Sequence, residues 1–276
     1  MRENISVRSF GAPKNTAGTL NIVMPRKAFR DAGQLPDFLE KLLEKGEFDK
    51  NFPHVFLFSE TPFPAGYVPR RVEVKKAVEK IGELLKERHP HSMVAFSVNE
   101  LLKEGDKRSA RLAEKITHHS NTGYLIHATG YKAYPKLVDS NVDEDKMRLL
   151  NATHQSYKVA SKRWQRRGAK IAQKTMPFPQ ITAQSGHELQ YRVCADATEN
   201  FPAGRITILS ADQLPERSVY SLASNAELLV VNDGYGDRRA YFGSPSFPDS
   251  FESNAHNSSS VHAKLGELKV RIHLVD

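Results

Sequence analysis

Two rhythms of apolar residues run along this chain. NIVM (Asn21 to Met24), HVFLF (His54 to Phe58), MVAFSV (Met93 to Val98) and GYLIHA (Gly123 to Ala128) are short apolar runs bounded by turn residues and read as strands. ELQYRVCAD (Glu188 to Asp196) begins as a strand, ELLVVN (Glu227 to Asn232) is another, and LKVRIHLV (Leu268 to Val275) alternates as a returning strand. The second rhythm is helical. Phe38, Leu39, Leu42 and Leu43 share one face of a helix over Leu35 to Glu47. Val74, Ala77, Val78, Ile81, Leu84 and Leu85 line a second helix that stops near His89-Pro90-His91. A charged stretch over Lys103 to Lys115 and the stretch from Ala211 to Asn225 read as further helices. Strand, helix, strand, helix, strand with loops of ordinary length predicts an α/β fold, and no internal repeat interrupts it.

The segment 144–175 departs from this rhythm. Met147, Leu150, His154, Tyr157, Ser161, Trp164, Gly168 and Ile171 give a helical seam that is only partly apolar. Lys158, Lys162, Arg166 and Lys170 are spaced by four, share a face and repel one another. Without a recognisable nucleic-acid motif, this run reads first as a solvated face and second as a dock for an acidic partner or nucleic acid. Residues 244–260 are polar and turn-rich and read as a loop or tail.

Composition narrows the class. The 276 residues carry 40 Lys+Arg against 32 Asp+Glu, a net charge of +8, and 39% are hydrophobic, enough to offset chain entropy in a folded domain. No window approaches the roughly 18 apolar residues of a membrane helix, so no membrane span is expected. The first residues lack the apolar core of a secretory signal, so the expected location is cytoplasmic, signal-independent export leaving the same trace. The single cysteine, Cys194, excludes an internal disulfide and a multi-cysteine metal site. Near-adjacent histidines in turns, His89 with His91 and His118 with His119, lack a carboxylate–histidine helix motif; they read as solvated, and no metal is expected.

Three reactive side chains stand at predicted strand ends: Glu60 after HVFLF, a lysine after GYLIHA, and Cys194 after ELQYRV. Strand ends are where α/β folds build sites, because the core fixes a position that the next loop exposes. A carboxylate base can ionise a thiol, and an ammonium can hold the oxyanion formed when that thiol attacks a carbonyl. Taken singly, each residue has an ordinary structural reading, and a lone cysteine is more often a small buried hydrophobe.

The sequence around all three resembles the carbon-nitrogen hydrolase (nitrilase) superfamily, whose Glu-Lys-Cys triad acts on amides or nitriles. HVFLFSETPF resembles the strand that ends in the family's general base, Glu60 here, with Ser59 where the family usually has proline. NTGYLIHATGYKAYPKL carries Asn121-Thr122, Ile126, Gly130, Tyr134 and Lys136 in the order and spacing of the family's strand, turn and Tyr-x-Lys motif, Lys132 being the alternative lysine. Glu144, flanked by Asp143 and Asp145, stands where many members place a second glutamate. YRVCADATEN is similar to the nucleophile turn, with Cys194, Asp196 and Glu199, and NAELLVVND to the strand after the following helix.

The resemblance implies a single α-β-β-α sandwich domain over 1–276, catalytic Glu60, Lys136, Cys194 and Glu144, and an oxyanion contact from the backbone N–H of Ala195. It also implies a small amide or nitrile substrate, no cofactor, and a homo-oligomer. The connection from Lys136 to Cys194 exceeds the family's usual length, and the basic segment accounts for the excess as an insertion. FPAGRITILSADQLPERS reads as a second insertion, and the chain after Asp233 is short for the family, so the sandwich is expected to be abbreviated at the C-terminus. The competing expectation from another class is a nitrilase-like binding module without turnover that docks an acidic surface through the basic helix.

Overall fold

The computed structural model describes residues 5–12, 14–44, 48–60, 62–63, 67, 69–101, 119–136, 180–183, 185–194, 204–212, 226–234, 240–243, 252–253 and 264–276. Its order is β1 (Val7–Gly11), β2 (Leu20–Pro25), α1 (Gln34–Glu44), β3 (His54–Glu60), α2 (Arg71–Arg88), β4 (Met93–Leu101), β5 (His119–His127) and β6 (Gly130–Pro135). Then follow β7 (Gln180–Thr182), β8 (Glu188–Val193), β9 (Ile206–Ala211), β10 (Leu228–Asp233), β11 (Ala240–Gly243), β12 (Glu252–Ser253) and β13 (Val270–Val275).

These strands form two sheets. The first runs β1-β13-β2-β3-β4-β5-β6, with β13, β2, β3 and β4 parallel and β1, β5 and β6 antiparallel to their neighbours. The second runs β12-β11-β10-β9-β8-β7 around a parallel centre of β8, β9 and β10. The central strands are apolar on both faces because both faces are covered. Alternate residues of β2 and β3, such as Ile22, Val55 and Leu57, join Tyr191, Ile208 and Val230 of the second sheet in the core between the sheets. The intervening residues, Val23, Phe56 and Phe58, pack instead under the helices. Every apolar position that placed α1 and α2 on one face is buried there. Each such Leu, Ile or Val side chain contributes roughly 1.5–3 kcal/mol over its exposed state. The result is mixed α/β with two facing sheets, the α-β-β part of the expected sandwich.

Several expectations are revised. FPAGRITILSADQLPERS is not simply an insertion, since Ile206–Ala211 is β9, buried at every position and hydrogen-bonded between β8 and β10. The polar segments Val7–Gly11 and Gly130–Pro135 are edge strands, which need only one apolar face or none. Glu252 and Ser253, within the expected polar loop, pair with β11 as β12. The basic segment 144–175, the charged helix 103–115, His118 and most of the helix over Ala211 to Asn225 lie outside the described residues. Among the described helices none is long and apolar enough to cross a membrane.

His89 is also not solvated: it caps the C-terminus of α2, is buried, and meets the His54 ring edge-on at 5.8 Å. Phe48 packs edge-on against both His54 and His273. His54 Nδ1 bonds the Phe52 carbonyl, and His273 bridges Ser9 and Asn21. Burial is the main cause that lowers all three, His54 to about 4 and His273 to about 3, with His89 also below its usual value. A lowered folded pKa means the unfolded chain binds the proton better. The stability these neutral rings contribute is therefore complete above about pH 6.5 and lost as pH falls through the folded values. Calorimetry should show a melting temperature level from pH 8 to 7 that declines from about pH 6.5 toward pH 4; a level profile across that window would contradict the assignment.

Candidate active site

Glu60 and Lys136 meet at the end of the first sheet. In β3, Leu57 pairs with Ala95 of β4, but the next pair is Glu60 with Ser97, so β3 carries one extra residue. Such a register shift re-aims the side chains beyond it. Strict alternation would put Ser59 opposite Ser97 and turn Glu60 toward the helices; the extra residue turns Glu60 to the face between the sheets. Lys136 arrives from the other side. β6 hairpins back along β5, and the Lys136 amide N–H bonds the Asn121 carbonyl at 2.8 Å.

The ammonium of Lys136 lies 2.9 Å from Glu60 Oε1, with both side chains almost wholly buried at 1% and 3% exposed. Asn121 Nδ2 donates to the same oxygen. Burying a charge is costly unless it is paired and hydrogen-bonded, and here both conditions hold. Lys132 shares the face but lies further back on β6, opposite Leu125, and is exposed.

Cys194 directly follows β8 at the corresponding end of the second sheet. Its φ of 42° is in the left-handed region, where a non-glycine residue costs on the order of 1–3 kcal/mol and persists only when its surroundings enforce it. The residue is buried, and Sγ lies 3.9 Å from the Asp212 carbonyl oxygen, the partner for its S–H. A short chain of bonds ties this turn to the strand of Glu60. Val193 pairs with Ser210 of β9, and Ser210 Oγ donates to the Phe58 carbonyl at 2.6 Å, two residues before Glu60. Tyr191 completes the link with its hydroxyl 3.0 Å from Ser210 Oγ. Asn232 of β10 adds a second brace, donating to the carbonyls of Pro25 and Leu57. Beside it Gly234 must lack a side chain, since a Cβ would stand 2.7 Å from Ser59 Oγ.

A second buried carboxylate belongs to the opposite face. Glu100 of β4 accepts from Thr122 Oγ1 and Tyr124 OH, both at 2.9 Å, with Arg71 Nε 3.8 Å away at the start of α2. Burial pushes Glu100 up, opposed by the bonds from Tyr124 and Thr122, and burial beside Glu100 pushes the Tyr124 phenol up.

Three expected participants thus occupy one end of the two sheets: Glu60 and Lys136 in contact, and Cys194 on the strand end braced against them. Glu144 and Ala195 lie outside the described residues, as do Asp143, Asp145, Asp196 and Glu199. Sequence reasoning placed Asn121 only within the family motif and gave no role to Ser97, Asn99 or Ser210, polar residues of strands whose apolar neighbours cover both faces. Breaking the ion pair from one side leaves an uncompensated buried charge. Lys136→Met should lower unfolding free energy by about 3–5 kcal/mol in urea, and Glu60→Leu combined with it should restore most of that loss.

No family model matches the chain, and no curated protein matches it in sequence. By structure it is similar to a mutant of the Nesterenkonia AN1 amidase from the nitrilase superfamily, at 14% identity over 82% of each chain with a TM-score of 0.49. It is similar to a CN-hydrolase superfamily protein of Xanthomonas campestris, at 12% identity over 95% of this chain and 93% of that one, TM-score 0.47. It is also similar to Saccharomyces cerevisiae Nit3, a member of branch 10 of the nitrilase superfamily, at 11% identity over 87% and 83%, TM-score 0.46.

Proposed function

We propose that this chain is a hydrolase of non-peptide carbon–nitrogen bonds, with Cys194 as nucleophile, Glu60 as general base and acid, and Lys136 as the cation that holds the developing oxyanion. The observation that carries the reading is the buried Glu60–Lys136 pair at the sheet end where Cys194 sits in a left-handed turn. A solitary buried ion pair is weak support for stability alone, since apolar residues of similar volume often serve as well. Its neighbourhood to a strained thiol gives it a chemical use.

In the first half-reaction Glu60 takes the Cys194 proton as Sγ forms a bond to the amide carbon. The carbonyl electron pair moves onto oxygen, where Lys136 and the backbone N–H of Ala195 stabilise it. Collapse breaks the carbon–nitrogen bond, and the nitrogen leaves with the proton that Glu60 returns. Water then loses a proton to Glu60 as it attacks the thioester, and the proton goes back to the departing thiolate. A nitrile would pass through a thioimidate by the same groups. Glu144 is proposed to orient Lys136 or the leaving amine by charge-assisted hydrogen bonds.

Cys194→Ala should abolish turnover across an amide and nitrile panel; hydrolysis retained in the purified variant would refute the reading. Lys136→Gln should lower kcat by about two to three orders of magnitude, while exposed Lys132→Ala leaves it unchanged. In the folded wild type, iodoacetamide alkylation of Cys194 against pH, followed by intact mass, should inflect well below the free-thiol value of about 8.5. A thiol inert until denaturation would mark Cys194 as structural.

A further inference from the structure

On the face between the sheets, β4 carries Met93, Ala95, Ser97 and Asn99 in alternation, the first two within the core. Ser97 opposes Glu60 on one side and Gly123 on the other, and Asn99 opposes Asn121, the residue that donates to Glu60 Oε1. The two side chains therefore line the same polar face as the Glu60–Lys136 pair. Among the described residues Ser97 Oγ and Asn99 Oδ1 are buried without a hydrogen-bond partner, at 0% and 6% residue exposure. Native proteins rarely leave such atoms unmet, and each one calls for a partner that the described residues do not supply. Gly123 removes a side chain from the floor beside Ser97, and a glycine inside a strand marks a place where a ligand or another backbone approaches closely.

The chemistry of the orphan selects the ligand. A carboxamide oxygen only accepts, so Asn99 Oδ1 calls for a hydrogen-bond donor beside the carboxylate and ammonium, and among the two substrate classes of the hydrolase reading the one that brings such a donor is the amide. A primary amide brings two N–H groups at the atom that leaves; a nitrile or an N,N-disubstituted amide brings none and would leave Asn99 unpaired. We propose that Asn99, with Ser97, accepts the amide N–H of the substrate, so that this site takes primary carboxamides and rejects nitriles and N,N-disubstituted amides. The inference rests on the carbon–nitrogen hydrolase reading above and decides between its two substrate classes.

The test uses the full-length protein and one acyl group presented as primary amide, N,N-dimethylamide and nitrile. Sites built to pair a substrate N–H reject analogues that lack it strongly, so wild-type kcat/KM should favour the primary amide by about 100-fold or more. Asn99→Ala should lower the primary-amide value by about 10- to 100-fold without lowering the other two, collapsing the ratio. Equal losses on all three substrates would mean a structural role and overturn the proposal, as would a wild type that cleaves the nitrile as well as the amide. Should the variant fail to fold, protection of wild-type Cys194 from iodoacetamide serves instead: protection by the primary amide and not by the nitrile supports the proposal, and equal protection overturns it. Turnover of none of the three by a wild type whose thiol is also inert would refute the hydrolase reading and this inference with it, whereas turnover without discrimination refutes this inference alone.

Discussion

The contact between the Lys136 ammonium and Glu60 Oε1 is the constraint around which this end of the molecule is organised. Two opposite charges inside a protein repay their desolvation only when geometry and further hydrogen bonds are good. The chain meets that demand with three devices taken from distant segments: the extra residue in β3, the Asn121 amide from β5, and the return of β6 along the sheet edge. Without the register shift the carboxylate would face the helices, and without the hairpin the ammonium would have no route to the space between the sheets. Tyr131, Lys132 and Ala133 of β6 are all exposed, and among the described side chains the contribution to this end is the lysine that follows the strand, set in place by its backbone pairing.

The same sheet keeps its two buried acids apart. Asn121 and Thr122 are neighbours on β5 and point to opposite faces, the first serving Glu60 between the sheets, the second serving Glu100 under α2. Glu60 is held by a cation in direct contact. Glu100 has hydroxyl donors and a more distant arginine, and burial pushes its pKa up. Two carboxylates in one small region therefore experience different electrostatics, and the alternation of a single strand creates the difference.

Much of this architecture was legible in the sequence because it follows from periodicity. Parallel strands covered on both faces read as unbroken apolar runs, and helices packed on one face read at spacings of three and four. Glu60 and Cys194 stood out because each ends or follows such a run, whereas Lys136 was preferred to Lys132 only through the family resemblance. β9 was passed over although ITIL is a run of strand formers, because Pro, Gly and charged residues crowd it on both sides. β1 and β6 left no apolar trace because edge strands need none. The strand expected over Met93 to Val98 continues through the polar Asn99 and Glu100 to Leu101, and polarity marks a strand's end far more often than a buried site. The register shift had no signature at all: one added residue changes no composition and no period.

Irregularity and rigidity are divided along the length of the same strands. At the start of β3, His54 is enclosed by Phe48, Phe56 and His89, and Asn21 and His273 bond one another nearby, a dry arrangement that holds its rings neutral. At its end, six residues later, the pairing slips, a carboxylate takes a buried ammonium, and the facing sheet turns through a left-handed cysteine. Such local irregularities are unfavourable in isolation and survive only on a frame that over-determines them. The parallel centre of each sheet supplies that frame, and the Ser210 and Asn232 bonds to the carbonyls of Phe58, Leu57 and Pro25 carry its rigidity across the gap. Polar cross-links between two otherwise apolar sheets fix their relative register in a way that non-directional apolar packing does not. A thiol and a carboxylate carried on separate sheets can act on one atom only if that register is held.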